Sequence, residues 1–253
     1  MKKIYHGTYA YKTDLGRVRS KNEDQAMVLM NAYGETFLVV CDGMGGAKKG
    51  ELASKIAIDI LTESFRHKPH YRLKYSNRVW ITRAAKEANG KINKYAEKNG
   101  KVKGMGTTMV AALISGNRIM LANIGDSRCY LLNHEKNELT LATEDQTYVR
   151  YLVSTGKITE EEALSHPDRH VLMNALGIYP SVSLNVDFMP YSGQSVLLCS
   201  DGLYNQVTKD QIANILLTDD RTDQKVASLV AEANHNGGSD NVGIALWEAI
   251  AND

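Results

Sequence analysis

The chain has 253 residues, 43% of them hydrophobic and 23% charged, and its 30 Lys and Arg against 29 Asp and Glu leave a formal charge of +1. This composition excludes disordered, collagen-like and fibrous classes. The even charge argues against a dedicated nucleic-acid binder, which needs a basic excess on one face. No apolar run approaches the roughly 18 residues that a membrane span needs.

Seven runs rich in β-branched or aliphatic residues, each bounded by Gly, Asn or Asp, predict strands. They cover 25–30, 36–41, 107–115, 118–124, 128–132, 195–199 and 242–247. The turn-forming pair Gly116 and Asn117 joins two of these runs and predicts a hairpin, which implies antiparallel pairing.

Helical periodicity predicts four helices, placed in blocks between the groups of strands. They cover 51–65, 77–99, 210–217 and 223–234. Because strands and helices do not alternate strictly, an α+β layered domain is favoured over a doubly wound parallel sheet. Since no repeat, low-complexity tract or linker divides the chain, we expect a single domain over residues 1–253.

The segment 143–177 is polar and has no strong strand pattern, which predicts a helical excursion over the surface. It carries three more acidic than basic side chains. Long insertions of this kind are commonly lids or binding loops.

Three cysteines, Cys41, Cys129 and Cys199, each lie in an apolar run, and their odd number argues against a disulfide framework. The first residues are basic and then polar, which argues against a signal peptide. We therefore expect free, buried thiols and a cytoplasmic protein.

Five aspartates lie at the ends of predicted strands, where rigid backbone would place them accurately. Asp24 and Asp240 precede strands, Asp42 and Asp201 follow them, and Asp126 lies between two. Any single Asp-Gly pair has a simpler interpretation as a turn. The sequences around Asp42 and Asp201 nevertheless repeat one pattern, in which an apolar strand delivers a carboxylate to its end.

Carboxylates within a few ångströms of one another cannot all remain ionised without a cation, so such a cluster predicts a hard divalent metal. Oxygen ligands suit Mg²⁺ or Mn²⁺, and the lack of a Cys-x-x-Cys pair or of metal-spaced His disfavours Zn²⁺. The glycine-rich stretch 42–46 fits either a flexible turn or a loop that approaches a ligand closely. It matches no nucleotide-binding motif.

Six motifs follow one another along nearly the whole chain. They are Thr13-Asp-Leu-Gly-Arg-Val-Arg-Ser-Lys-Asn-Glu-Asp24, Val40-Cys-Asp-Gly-Met-Gly-Gly46, Gly104-Met-Gly-Thr-Thr108, Ala122-Asn-Ile-Gly-Asp-Ser-Arg128, Leu198-Cys-Ser-Asp-Gly-Leu203 and Ser239-Asp-Asn241. In this order they resemble the metal-dependent protein phosphatase family (type 2C) in its compact bacterial form. The resemblance implies a central antiparallel β-sandwich flanked by helices on both faces, and hydrolysis of phosphoserine and phosphothreonine by direct attack of a metal-activated water.

The resemblance also implies two Mn²⁺ or Mg²⁺ ions at one end of the sandwich. Asp42 would bridge both ions and the carbonyl of Gly43 would bind one of them. Asp201 and Asp240 would complete the ligands of the other.

Four further residues match positions of the family. Asp24 and Glu23 would hold metal-bound waters, and Asp126 matches an acid that helps to bind a third, weaker ion. Arg19 matches the phosphate-binding arginine, whose guanidinium can grip a phosphoryl group by two parallel hydrogen bonds. Its simpler interpretation is a solvated basic residue in a charged run.

The chain departs from the family where many members carry His, at Met44 and at Gln146. The first of those His is often credited as the general acid, so that role is open here. A metal-bound water, or His166 or His170 of the segment 143–177, are the alternatives. This segment corresponds to the family's flap, and its acidic excess would favour phosphorylated residues in basic contexts.

The expected protein is thus a monomeric bacterial phosphatase that acts on phosphorylated proteins and opposes a Ser/Thr kinase, with no nucleic-acid partner and no membrane span. A binding module without turnover is disfavoured by the joint presence of Asp42, Asp201, Asp240 and Arg19. A two-metal phosphodiesterase or nuclease is disfavoured by the +1 charge and by the lack of a basic, aromatic-laced stripe.

Overall fold

Two antiparallel sheets and the helices around them make up the part of the chain that the computed structural model describes, residues 4–45, 49–70, 74–98 and 104–250. The strands are β1 (Gly7–Asp14), β2 (Asp24–Met30), β3 (Thr36–Met44), β4 (Gly106–Thr107), β5 (Met109–Ile114), β6 (Arg118–Ile124), β7 (Arg128–Asn133), β8 (Glu138–Leu141), β9 (Asn185–Pro190), β10 (Ser195–Cys199) and β11 (Val242–Ala249). The helices are α1 (Lys49–Arg66), α2 (Lys74–Lys98), α3 (Tyr148–Ser154), α4 (Glu160–Ser165), α5 (Asp201–Tyr204), α6 (Lys209–Leu216) and α7 (Thr222–His235).

The two sheets stack face to face. The first has the order β1-β11-β10-β7-β8, and the second has the order β2-β3-β5-β6-β9 with β4 paired to β3. Their inner faces share one apolar core, which includes Leu38, Val40, Val110, Leu198 and Trp247. Alternate residues of the same strands point away from this core, so each sheet has a second apolar face to cover.

Helices cover both outer faces. α1 and α2 pack on the second sheet, where Ala57 and Leu61 of α1 meet Phe37 and Val39 of β3. α6 and α7 pack in the same way on the first sheet through an apolar cluster that includes Leu229 of α7. The result is the predicted α+β sandwich with four layers, helix, sheet, sheet and helix.

Three strands that the sequence patterns missed, β1, β8 and β9, lie at the edges of the sheets. An edge strand is hydrogen-bonded on one side only and buries less of its surface, so its apolar alternation is weak. The predicted strand 107–115 is divided at Thr108, whose backbone N–H leaves the ladder to bind the carbonyl oxygen of Asp42 at 2.8 Å. The last residue of the predicted helix 77–99 and Gly46 of the glycine-rich stretch lie outside the described residues.

The cysteines are free and buried, as predicted. Burial raises the pKa of Cys199 to about 12 and also raises the pKa values of Cys41 and Cys129, so all three stay protonated thiols at neutral pH. Within the described part of the chain, no helix is both long and apolar enough to cross a membrane.

The flap, residues 143–177, contains α3 and α4. Thr147 caps α3 by accepting a hydrogen bond from the backbone N–H of Arg150, and Thr159 forms a capping box with Glu162 at the start of α4. None of the residues of α4 is buried. This helix is therefore held by its caps and by neighbouring side chains and not by the core.

Candidate active site

Carboxylates from both sheets meet at one end of the sandwich. Asp24 and Asp42 are direct cross-strand partners on β2 and β3. Asp201 begins α5 two residues after the end of β10, Asp240 lies two residues before β11, and Asp126 lies in the turn between β6 and β7. The structure thus brings together all five aspartates that the strand-end pattern singled out.

A cavity of 430 Å³ opens at this end of the molecule. It is lined by Asp42, Asp126, Asp201 and Asp240, and also by Arg19, Glu23 and Gly43. Asp24 lies behind this wall, with 1% of its surface exposed. Every residue predicted for the site therefore lines the cavity or lies directly behind it.

The crowded carboxyls hold protons more tightly than ordinary aspartates. Burial, followed by the charges of Asp24 and Asp201, raises the pKa of Asp42 well above its usual value. Burial likewise raises the pKa of Asp24 to about 8, of Asp126 to about 7 and of Asp201 to about 6, and neighbouring acids add to each shift. In the absence of a cation, several of these groups therefore remain protonated near neutral pH.

The acids are neighbours but do not by themselves complete a metal site. Among the residues that the structure describes, no three Asp, Glu, His or Cys side chains form a ready-made ligand set. Asp42 is close enough to Asp24 and Asp201 for these carboxyls to shift one another's pKa values. Backbone oxygen and water would have to supply the remaining donors for any bound ion.

Arg19 lies at the mouth of the cavity. Its Nη2 atom donates to Asp240 Oδ2 at 2.7 Å, and 54% of its side chain is exposed. The charge of Asp240 is the main cause of the raised pKa of Arg19, to which Asp201 and Asp42 also contribute. This guanidinium is thus part of the acidic end of the molecule and not an isolated surface charge.

The glycines of both Asp-Gly pairs are required for close approach. A Cβ atom on Gly43 would overlap the carbonyl oxygen of Gly50 at the start of α1, and one on Gly202 would overlap the carbonyl oxygen of Asn241. Each glycine therefore lets a neighbouring backbone pack directly against an acidic strand end. Asp42 and Gly43 lie within β3, and Asp201 and Gly202 lie within α5, so neither pair forms the turn of the simpler interpretation.

Two threonines hold the backbone of Asp42. The hydroxyl of Thr107 donates to the Asp42 carbonyl at 2.8 Å, and the Asp42 N–H donates to Thr108 Oγ1 at 3.0 Å. Thr108 Oγ1 also lies 2.7 Å from Ser127 Oγ, next to Asp126. The break between β4 and β5 thus fixes two of the acids relative to each other.

Ser200 and Asn241 hold the other elements of the site. The hydroxyl of Ser200 donates to Asp24 Oδ2 at 2.6 Å. The Asn241 amide donates to the carbonyls of Leu15 and Lys21, and its oxygen accepts the N–H of Glu23. Ser200 and Asn241 each lie next to an aspartate of the site, but no sequence pattern predicts their role because their partners are about 180 or more residues away along the chain.

Gln146 occupies the second position at which the chain departs from the family. Its Oε1 atom accepts from the N–H of Gly125 at 3.1 Å and from Asn174 at 2.7 Å, and its own N–H donates to the Gly125 carbonyl at 2.9 Å. Through these hydrogen bonds Gln146, near the start of the flap, and Asn174, near its end, are both connected to the turn that carries Asp126.

Arg128 supports the same turn from the other side. Its guanidinium binds Asp145 through two nitrogens, at 2.7 to 3.2 Å, and stacks on the Tyr204 ring at 3.6 Å. The Tyr204 hydroxyl donates to the Asp126 carbonyl at 3.2 Å. Asp145 and Gln146, at the start of the flap, thus support the Asp126 turn through Arg128 and Gly125. Tyr204 of α5 supports the same turn directly.

The two flap histidines have different positions. His170 lines the cavity, and its charge lowers the pKa of Asp201, although burial outweighs it. His166 Nδ1 accepts the backbone N–H of Asp168 at 3.1 Å, which is a local turn contact. Met44 also lines the cavity. Of the two histidines considered for the general acid, only His170 lines the cavity.

Known proteins with this arrangement identify the family. The family model for "Protein phosphatase 2C" matches residues 17–237. The chain belongs to the protein phosphatase 2C family. Serine/threonine phosphatase stp of Listeria welshimeri is 36% identical to this phosphatase over 239 residues, which are 94% of each protein.

Solved structures agree with this assignment. The phosphatase superposes on serine/threonine phosphatase Stp1 from Staphylococcus aureus with a TM-score of 0.90 and 34% identity, over 100% of this chain and 98% of that one. It superposes on the catalytic domain of the phosphatase PstP in complex with 2 manganese ions with a TM-score of 0.82 and 35% identity, over 97% and 99% of the two chains. The protein is a bacterial, metal-dependent protein serine/threonine phosphatase, and its substrates are phosphoproteins.

Proposed function

We propose that the cavity holds two divalent cations, Mn²⁺ or Mg²⁺, and that Asp42, Asp201, Asp240 and the Gly43 carbonyl are their protein ligands. The observation that supports this most directly is the convergence of Asp42, Asp201 and Asp240 on one cavity, where burial and mutual repulsion also raise the pKa values of Asp42 and Asp201. Such a cluster is stable in its charged form only with a cation to replace the protons. The related structure of PstP contains 2 manganese ions.

The donor chemistry fits a hard cation, because every candidate ligand is an oxygen. Asp24 lies behind Asp42, and Glu23 lines the cavity beside Gly43, so both would act through water. Asp126, on the turn held by Gln146, would help to bind a third, weaker ion.

When bound, the cations would neutralise charge on the phosphoryl oxygens and acidify the attacking water. The chain's own residues would position the reactants. Arg19 uses one N–H on Asp240, and its guanidinium has five, so it can hold two phosphoryl oxygens at the cavity mouth. Thr108 and Ser200 hold Asp42 and Asp24 in place, so these acids need little rearrangement during the reaction.

We also infer that residues 1–253 act as a single catalytic domain and as a monomer, in the cytoplasm, where a Ser/Thr kinase would supply the phosphorylated proteins. The core shared by the two sheets supports a single domain. The three free thiols fit a reducing compartment.

Calorimetric titration of the metal-free protein with Mn²⁺ tests the metal site. We expect two tight sites, and fewer in the Asp42→Ala variant, because Asp42 would bridge both ions. An unchanged stoichiometry in that variant would overturn the ligand assignment.

Assays of the loaded enzyme with a phosphothreonine peptide, a phosphotyrosine peptide and a bis-aryl phosphodiester test the reaction. The phosphothreonine peptide should be the best substrate. Preference for the diester would instead support the two-metal phosphodiesterase.

A further inference from the structure

The arginine loop, residues 15–23, joins β1 to β2 and carries Arg19. Most of its side chains are exposed, and even the apolar Leu15 and Val18 are 40% and 69% exposed. The apolar core therefore does not hold this loop in place. Its conformation depends on hydrogen bonds and on backbone contacts with its neighbours.

The closest neighbour is the aspartate loop, residues 236–241, which joins α7 to β11 and carries the acid that binds Arg19. The backbone N–H groups of Arg17 and Val18 both donate to the carbonyl oxygen of Gly238, at 2.8 and 3.2 Å. The two loops are thus joined backbone to backbone.

Two glycines allow this close contact. Gly16 and Gly238 have φ angles of 76° and 55°, which place both in the left-handed region. A Cβ atom on Gly16 would overlap the carbonyl oxygen of Asp240, and one on Gly238 would overlap Oδ1 of Asn234. The arginine loop therefore packs directly on the backbone of Asp240, and the aspartate loop packs directly on the side chain of Asn234.

One carboxylate connects the starts of both loops. Asp14, the last residue of β1, accepts with Oδ1 from the N–H of Gly16 at 2.9 Å and from Nδ2 of Asn234 at 3.0 Å. Burial acts to raise the pKa of Asp14, but the hydrogen bonds from Asn234 and Gly16 together lower it, so the group is ionised at neutral pH. Asp14 and Asn234 do not line the catalytic cavity, so they can act on the reaction only through the residues they hold.

We propose that Asp14 and Asn234 are positioning residues for Arg19, because they fix the arginine loop on the aspartate loop and so keep the guanidinium at the mouth of the cavity. The proposal rests on the proposed function, in which Arg19 binds the phosphoryl group. The ion pair between Arg19 and Asp240 is exposed, and an exposed ion pair restrains a long side chain only weakly. The backbone of the loop must supply the rest of the restraint.

A double-mutant cycle of Asn234→Ala with Arg19→Ala tests this role. Asn234→Ala alone should lower kcat/KM for a phosphothreonine peptide by about tenfold, since small misplacements of a group that binds the reacting phosphate are costly. In the Arg19→Ala background the same change should alter kcat/KM by less than about twofold, because no guanidinium is left to misplace. A merely structural role would lower activity by the same factor in both backgrounds, and that outcome would overturn the proposal.

Titration with Mn²⁺ and a matched variant show where the effect arises. Asn234→Ala should not weaken Mn²⁺ binding, because Asp240 keeps its own hydrogen bond from the N–H of Asn241 at 2.8 Å. Weaker Mn²⁺ binding would mean that Asn234 acts on Asp240, and would overturn the role toward Arg19. The control is Asn236→Ala, since the Asn236 amide lies in the same turn but donates to the carbonyl of Gln206. This control should retain kcat/KM, and an equal loss in it would also overturn the proposal.

Substitutions of Asp14 test the other partner of the hydrogen bond. Asp14→Ala should reproduce the loss in Asn234→Ala. Asp14→Asn should restore most of kcat/KM, because its amide oxygen can accept the same two hydrogen bonds. If Asp14→Asn is as impaired as Asp14→Ala, the hydrogen bonds do not position Arg19.

Arg19→Ala alone separates this proposal from the proposed function. If that variant uses the phosphothreonine peptide as well as the unchanged enzyme does, the phosphate-binding role of Arg19 fails, and the positioning role of Asp14 and Asn234 fails with it. If Arg19→Ala lowers kcat/KM but Asn234→Ala does not, the positioning role alone fails.

Discussion

Neighbouring acids of the active site differ in their surroundings. Asp24 is closed off beneath the cavity and hydrogen-bonded to Ser200, whereas Asp201 borders the cavity and lies near the charge of His170. Arg19 stands half exposed at the mouth. Single substitutions should therefore have separable effects.

Asp201→Asn keeps the size of the side chain and removes its charge. We expect turnover of a phosphothreonine peptide to fall by at least about a hundredfold, because a lost metal ligand removes water activation and charge neutralisation together. Steady-state kinetics and metal analysis measure this, with the exposed Asp219→Asn as the matched control. Near-normal turnover with normal metal content would contradict the role of Asp201.

Arg19→Ala should weaken the use of substrate and should not weaken the binding of metal. Loss of a charge-assisted hydrogen bond weakens phosphopeptide use by about 1.5 to 3 kcal/mol. Because Arg19 binds Asp240 in the structure, its removal should leave Mn²⁺ affinity equal or tighter. Kinetics and Mn²⁺ titration check both parts, with Arg17→Ala as a control, and weaker Mn²⁺ binding would argue against phosphate binding as the role of Arg19.

Elements with strong apolar patterns were predictable from sequence, whereas of the four edge strands β1, β2, β8 and β9 only β2 was predicted. β3 and β10 are buried along their length and were predicted as strands, and α1 shows a clear apolar face. β1 and β9 were missed because an edge strand alternates weakly. Asp42 and Asp201 were predictable for the same reason as β3 and β10, the buried strands at whose ends they lie.

The supports of those acids were beyond sequence reasoning. Ser200 binds Asp24 across 176 residues of chain, and Thr108 binds Asp42 across 66. No periodic pattern in the sequence predicts the distant hydrogen-bond partner of a Ser or Thr that lies beside one of these acids. The packing of one sheet on the other brings Ser200 to Asp24, and the pairing of β3 with β4 and β5 brings Thr108 to Asp42.

The flap is joined to the Asp126 turn through Gln146, which makes this junction testable. Gln146→Leu keeps the approximate shape but leaves the N–H of Gly125 without its side-chain acceptor. An unsatisfied polar group of this kind costs about 1 to 3 kcal/mol. Urea unfolding should show that loss, whereas Gln146→Glu, which retains an acceptor oxygen, should recover part of it. An unchanged free energy of unfolding in Gln146→Leu would mean that the hydrogen bonds of this side chain contribute little to stability.

Across the whole molecule, the collected acids make stability depend on pH and metal together. The pKa values of Asp24, Asp126 and Asp201, about 8, 7 and 6, lie above the usual 3.8. Between these pKa values and the usual one, the three aspartates therefore hold protons in the folded protein that they have lost in the unfolded chain. Their contribution to the free energy of unfolding is fully present below about pH 4 and is lost as pH rises through 6 to 8.

Metal-free protein should accordingly lose the stability contributed by these groups between pH 5.5 and 8. Because protons compete with the ion, Mn²⁺ should raise the melting temperature more at pH 8 than at pH 5.5. Thermal unfolding in EDTA and in Mn²⁺ at both pH values measures this. A stabilisation by Mn²⁺ that is the same at both pH values would contradict it.

The division of the acids between the two sheets also governs the kinetics of folding. Asp24 and Asp42 belong to the second sheet, and Asp201 and Asp240 flank strands of the first, so the complete cation site exists only after the sheets have docked. An interaction absent from the transition state slows unfolding and leaves the folding rate almost unchanged. Stopped-flow measurements with and without Mn²⁺ should show this asymmetry. Faster folding with an unchanged unfolding rate would instead place sheet docking before the barrier. Metal depletion would then shorten the lifetime of folded enzyme without slowing the maturation of newly made chains.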